Sequence, residues 1–294
     1  MAAMSKSMSL FRLFGIPVRI HWTWFCFPFA VFIGGGWMLD RWTGAIVAFS
    51  LLCLAVGSGL VHELAHCLTA RVFGCGTGRI LLIPFGIVAD LNRIPREPAH
   101  EILMAAAGPL TSACLAGVAW AGSLLARELH TPIGFHMIEV LYFLLAFNSM
   151  VAGFNLLLVI LPTDGGRILR ATIFAALRRW SRLTDRGAHL LATKIAVRFV
   201  GWPLAVIVLV AQVKTGFWLP HLWILLPLLG VAGEAELWAL RECPEIFDVP
   251  DTVTFLPRPP RWNPGERCSP ATQSTSLWGM EVVVSSERDA RWVT

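Results

Sequence analysis

The 294-residue chain is 56% hydrophobic and only 15% charged, with a mean hydropathy of +0.65, which excludes an ordinary water-soluble enzyme and indicates a multi-span membrane protein. Its net charge of +5 does not point to nucleic acid, because the basic residues gather in particular loops and form no long stripe with interleaved aromatics. The seven cysteines are an odd number. Cys26, Cys53, Cys67 and Cys114 fall in apolar segments and read as small core hydrophobes rather than a disulfide framework.

Residues 1–19 carry Lys6, Arg12 and Arg19, no acid, and no small-residue cleavage site before the apolar run that follows. They fit a retained first span better than a removed signal peptide. That span runs roughly from Ile20 to Met38, about the length that crosses a 30 Å hydrocarbon core at about 1.5 Å per residue. Trp37 and Trp42 bracket its far end, and His21 and Trp22 its near end, as headgroup-level anchors. A second span, about Gly44 to Phe73, contains His62, Glu63 and His66 near its C-terminal end.

Beyond Arg71 and Arg79, the segment Ile80 to Leu91, with Pro84, Gly86 and Asp90, is too short and interrupted to span. It re-enters as a short strand or hairpin, or lies as an interfacial loop; the residues favour neither. A third span covers about Glu101 to Leu125, and its Ala105-Ala106-Ala107-Gly108-Pro109 stretch lets another helix approach closely. The fourth, about Ile138 to Leu161, leads into Pro162-Thr163-Asp164-Gly165-Gly166-Arg167. A basic amphipathic segment with Arg167, Arg170, Arg178, Arg179, Arg182 and Arg186 precedes two more spans, about Ile195 to Val213 and Phe217 to Leu240, the latter interrupted by Pro220 and Pro227. The expected fold is an all-α polytopic membrane protein of about six transmembrane helices, with room for one short re-entrant β segment. It divides into a transmembrane domain, residues 1–245, and a flexible polar C-terminal tail, residues 246–294, rich in Pro, Ser and charge.

Basic residues fall in alternate loops: the N-terminal segment, the loop with Arg71, Arg79, Arg93 and Arg96, and the loop after span four. The other loops offer little beyond Arg41, Arg127 and Lys214. The positive-inside rule then places both termini in the cytoplasm, for a multi-pass protein of the cell membrane.

The pattern His62-Glu63-Leu64-Ala65-His66 carries the chemistry. Two histidines four apart share a helix face and can hold one Zn²⁺, and Glu63 beside them can act as general base toward water at the metal. Ionisable residues at such depth are costly and mark function. Spans two and four run in the same direction, so Asp164, at the end of span four, lies at the same depth as the triplet. A catalytic zinc needs three protein ligands and an open position, and Asp164 completes the set; alone, Asp-Gly-Gly would read as a turn.

These motifs resemble the site-2 protease family of intramembrane zinc metalloproteases, in the compact branch without a PDZ or C-terminal nucleotide-binding domain. His62, Glu63 and His66 match its H-E-x-x-H, and Asp164-Gly165 its later Asp-Gly. Asn155, in Phe154-Asn155-Leu156-Leu157, matches its Asn, with Asn148 as the alternative, since Leu158 stands where the family has Pro and one more residue separates Asn155 from Asp164. Leu81-Leu82-Ile83-Pro84-Phe85-Gly86 is similar to the family's Gly-containing re-entrant loop. The resemblance spans roughly Gly15 to Leu240. It implies hydrolysis of a peptide bond in or near the transmembrane segment of a membrane-protein substrate, with one Zn²⁺ per chain. Glu63 would be the base, Asn155 would bind the oxyanion or the substrate backbone, and Gly86 would lie in a segment that pairs with the unwound substrate. A polytopic zinc-binding protein or zinc transporter without proteolytic activity is the alternative; it has no need of Glu63. No residue names the substrate or the oligomeric state.

Overall fold

The computed structural model describes residues 7–38, 41–83, 86–91, 95, 97–181, 183–216, 218–242, 275–277 and 280–282. Lys6, Pro84, Phe85, Arg93, Arg96 and Arg182 lie outside them, as does nearly all of the 246–294 tail, in which β5 (Thr275–Leu277) and β6 (Met280–Val282) pair as an antiparallel hairpin.

In chain order, β1 (Ser7–Leu13), β2 (Ile16–His21), a 3-10 turn (Trp22–Phe25) and α1 (Cys26–Met38) precede α2 (Arg41–Val72). Next come β3 (Thr77–Ile83), β4 (Gly86–Leu91), α3 (Pro98–Arg127), α4 (Pro132–Leu157) and α5 (Asp164–Trp180). The chain then runs through α6 (Asp185–Lys194), a π-helical stretch (Ile195–Gly201), α7 (Trp202–Thr215) and α8 (Pro220–Glu242). Helix ends follow local chemistry. Thr131, Thr163 and Thr184 cap the starts of α4, α5 and α6 by accepting from Gly134, Gly166 and Gly187 N–H groups, and Gly216, at φ 68°, closes α7.

Among the described residues, five helices are long and apolar enough to cross a bilayer: α2, α3, α4, the continuous Asp185–Thr215 helix and α8. Outward-facing Trp120, Leu125, Ile207 and Ile224 are more than half exposed, and such faces are stable only against lipid. The protein is therefore a polytopic all-α membrane protein with a small sheet.

The first expected span differs. Ile20 and His21 belong to β2, where the His21 ring accepts from the Thr23 N–H and so begins the 3-10 turn, and α1 has 13 residues. Alone α1 is about 20 Å long, and with the 3-10 turn about 28 Å. It packs tightly on α2: a Cβ on Gly35 would lie 2.4 Å from the Ala48 Cβ and 2.6 Å from the Gly44 carbonyl oxygen. The cysteine expectation is corrected too. Cys67 is buried in the core, but Cys26, Cys53 and Cys114 are exposed on the outer, lipid-facing surface, where a small apolar side chain is equally at home.

The described residues of segment 80–91 belong to β3 and β4, paired within a sheet ordered β1-β2-β3-β4, in which β2 and β3 run parallel and the other pairs antiparallel. The N-terminal strands were not legible in a segment read as the basic approach to a retained first span. Their alternation is nevertheless clear in β2, where Ile16, Val18 and Ile20 are buried and Pro17, Arg19 and His21 are not. Those three pack with Ile80, Leu82 and Cys67, and Val56, Leu60 and Leu64 of α2 close the cluster. The sheet thus lies along the stretch of α2 that carries the His-Glu-His triplet. Gly59 lets β4 approach, since a Cβ there would meet Ile87 Cδ1 at 2.9 Å.

Candidate metal centre

His62 and His66 project one turn apart from α2, each 4% exposed. Asp164 is the first residue of α5. Gly165 and Gly166 bring that helix start against the end of α4, because side chains there would collide with the Leu156 carbonyl oxygen at 2.4 Å and the Leu161 nitrogen at 2.6 Å. The Asp-Gly-Gly sequence is thus a close-packed helix start that carries Asp164 to the histidines. His62 Nε2 and His66 Nε2 are 3.2 Å apart, and each lies 3.3 Å from an Asp164 carboxylate oxygen.

These separations test the fit of a metal. Metal bonds of about 2.0–2.1 Å set neighbouring ligand atoms about 3.3–3.4 Å apart, and the two imidazole nitrogens and the two Asp164 oxygens that face them are separated on that scale, so one ion could reach all three residues. Orientation agrees. His66 Nδ1 is 2.7 Å from the Met104 carbonyl oxygen, which can only accept, so Nδ1 carries a proton and Nε2 is the nitrogen left to face Asp164 and a metal. His62 Nδ1 is 2.9 Å from Ser112 Oγ, a hydroxyl able to donate or accept, which fixes the ring's orientation. Burial pushes the Asp164 carboxyl up, but hydrogen bonds from His62 and His66, with the charges of His66 and Arg167, hold it well below the usual carboxylate range. Protons bind the three groups together without a metal, and metal binding displaces them.

Met104, Gly108 and Ser112 follow one another at intervals of four on α3 and form the wall over the histidines. A Cβ on Gly108 would sit 2.2 Å from His66 Nε2 and 2.6 Å from His62 Nε2, so only glycine leaves the metal-facing nitrogens free. From sequence, Gly108 belongs to a small-residue stretch for which a functional reading is no better than packing, although Ala107-Gly108-Pro109 is similar to the family, and Met104 and Ser112 are not singled out. The four-residue spacing was visible, but not the helix it faces.

Glu63 is half-buried and within electrostatic reach of His62, His66, Asp164 and Arg167. Asn155 is half-buried near the end of α4, its amide donating to the Val151 carbonyl; among the described residues no hydrogen bond joins it to the triplet. Asn148 is 1% exposed and donates to Ser58 Oγ, one turn before His62, and to the Leu144 carbonyl. Gly86 opens β4 at φ +148° on the free edge of the sheet.

One basic residue counted in the charged loop is not there. Arg170 is 3% exposed and donates to Glu101 Oε1 of α3 and Glu236 Oε1 of α8. His189 of α6 stands 3.7 Å from Glu101 Oε2. Burial would lower the Arg170 pKa, but Glu101 and Glu236 raise it above the ordinary arginine value. Removing one partner of such a buried pair costs about 3–5 kcal/mol.

No family model matches the chain. The chain is 36% identical over 206 residues to a zinc metalloprotease of Methanocaldococcus jannaschii, covering 70% of this chain and 54% of that protein. It is 34% identical over 128 residues to stage IV sporulation protein FB of Bacillus subtilis, covering 43% and 40%. Among solved structures, the site-2 protease from Methanocaldococcus jannaschii superposes with a TM-score of 0.51 at 31% identity, covering 78% of this chain and 94% of that one. The chain belongs to the site-2 protease family. It spans about half the length of the first of these relatives. Among the described residues, His62, His66 and Asp164 form a group close enough together to hold a metal ion.

Proposed function

We propose that the chain is an intramembrane zinc endopeptidase that hydrolyses a peptide bond in or beside the membrane-spanning segment of a protein substrate. The observation that carries this reading is the convergence of His62, His66 and Asp164 within reach of one metal ion, with Glu63 adjoining, among helices that face lipid. His62, His66 and Asp164 hold the metal. Zinc bound there supplies a Lewis acid that polarises the scissile carbonyl and acidifies water. Glu63 takes the proton of the attacking water and delivers it to the leaving amine. The Met104 carbonyl and Ser112 keep both imidazoles in register while charge develops. Asn155, with Asn148 as the alternative, binds the oxyanion or the substrate backbone after a side-chain rotation. A substrate helix hides its carbonyls in its own ladder and must unwind; β4, paired on one side by β3, offers an edge along the triplet helix to receive the opened strand. Both termini face the cytoplasm of a cell-membrane protein, by the distribution of Arg and Lys.

The test separates catalysis from metal carriage. Glu63→Gln keeps volume and hydrogen bonding but cannot accept a proton. The purified full chain should retain about one zinc and lose cleavage of a membrane-spanning substrate in liposomes by about 10²-fold or more. Undiminished cleavage by Glu63→Gln, or zinc flux across sealed liposomes without cleavage of any substrate in a broad panel, overturns the proposal.

A further inference from the structure

The Arg170 cluster lies between two helices that the metal centre needs in register. Glu101 sits one turn before Met104 on α3, whose carbonyl orients His66, and Arg170 sits less than two turns after Asp164 on α5. Both elements are unbroken α-helix between the ion pair and the site. A shift of α5 along α3 at Arg170 is therefore carried to Asp164 almost undiminished. A displacement of about 0.5 Å is enough to spoil a metal geometry. The Gly165 and Gly166 contacts set α5 against the end of α4 and the backbone of Ile160 and Leu161 that follows it. α3 and α5 also pack directly on each other, and within that contact Arg170 adds a directional tie, with Nε and NH2 both on Glu101 Oε1.

We infer that the Arg170–Glu101 ion pair is a positioning element of the metal centre, setting the reach of Asp164 to the His62–His66 pair and so the affinity and geometry of the bound ion. This rests on the metal reading given above. Glu236 holds the same guanidinium but belongs to α8, which contributes none of the proposed ligands or their hydrogen-bond partners. The two carboxylates share Arg170 yet differ in what they connect it to, and that difference separates positioning from simple packing.

The experiment uses the full chain in detergent, stripped of metal, with Zn²⁺ titrated against a competing chromophoric chelator and Co²⁺ as a spectroscopic probe of coordination. Circular dichroism confirms folding of each variant. Glu101→Gln should weaken zinc binding by about 10-fold or more, the scale on which groups outside the ligand set act, and change the cobalt visible spectrum. Glu236→Gln should stay within about threefold of wild type with an unchanged spectrum. Arg170→Met should follow Glu101→Gln; where it fails to fold, the two glutamine variants, which keep the guanidinium, decide. Wild-type zinc affinity and spectrum in Glu101→Gln overturn the inference, as does equal weakening in Glu236→Gln. A wild-type chain that binds no zinc, or Asp164→Asn binding as wild type does, removes the metal reading itself and is distinguished from failure of the inference alone by those two controls.

Discussion

The residue with the least freedom in the candidate centre is Gly108. It is neither ligand nor base, but its missing side chain leaves the space into which both Nε2 atoms point. Neighbouring Ala107 has no such restriction in its helix propensity, and alanine is ordinarily the better helix former by about 1 kcal/mol. Gly108→Ala is therefore expected to stabilise α3 locally and to abolish zinc retention, because backbone and rings cannot both give way by an ångström. Elemental analysis of the purified variant, beside its thermal unfolding, checks this. Wild-type zinc content would return Gly108 to a packing role.

At the scale of elements, β4 and α2 meet at Gly59 and Ile87, so the sheet's free edge runs along the helix that holds the histidines. Gly86 begins that edge in a backbone region that residues with a Cβ rarely adopt. Gly86→Val should disturb the start of β4 and impair cleavage of a membrane-spanning substrate. It should leave zinc content intact, since β4 supplies no ligand. Cleavage assays paired with metal analysis read both. Unchanged turnover would remove the edge from the proposed substrate path, and lost zinc would show that the sheet supports the centre instead.

Across the whole molecule, α2 and α4 run in the same direction with Asp164 following α4, and this ordering brings a residue 98 positions after His66 to the same depth. The proposed orientation puts that depth toward the cytoplasm. Single cysteines at Arg79 and Arg179, in a cysteine-free background, should react with a membrane-impermeant reagent only after the inner face is opened. Cysteines at Arg41 and Lys214 should react from outside. The reverse pattern would invert the orientation without moving the metal cluster, which is a property of the fold alone.

Membrane class, five long helices and the His-Glu-His triplet were legible because each is encoded locally: hydropathy over about 20 residues makes a span, and a four-residue interval makes a helix face. Asp164 was reachable because span direction is countable. The β1–β2 hairpin was not, since strands of six or seven residues beside a basic run carry too little pattern to outweigh an apolar segment that follows directly. Arg170 reads in sequence as one more loop cation. Its burial depends on Glu101 and Glu236, 69 and 66 residues away, meeting it at one point. The identity of the wall over the histidines was decided in the same way, because which face of α3 turns toward α2 is settled by packing between distant helices and by no interval within either one.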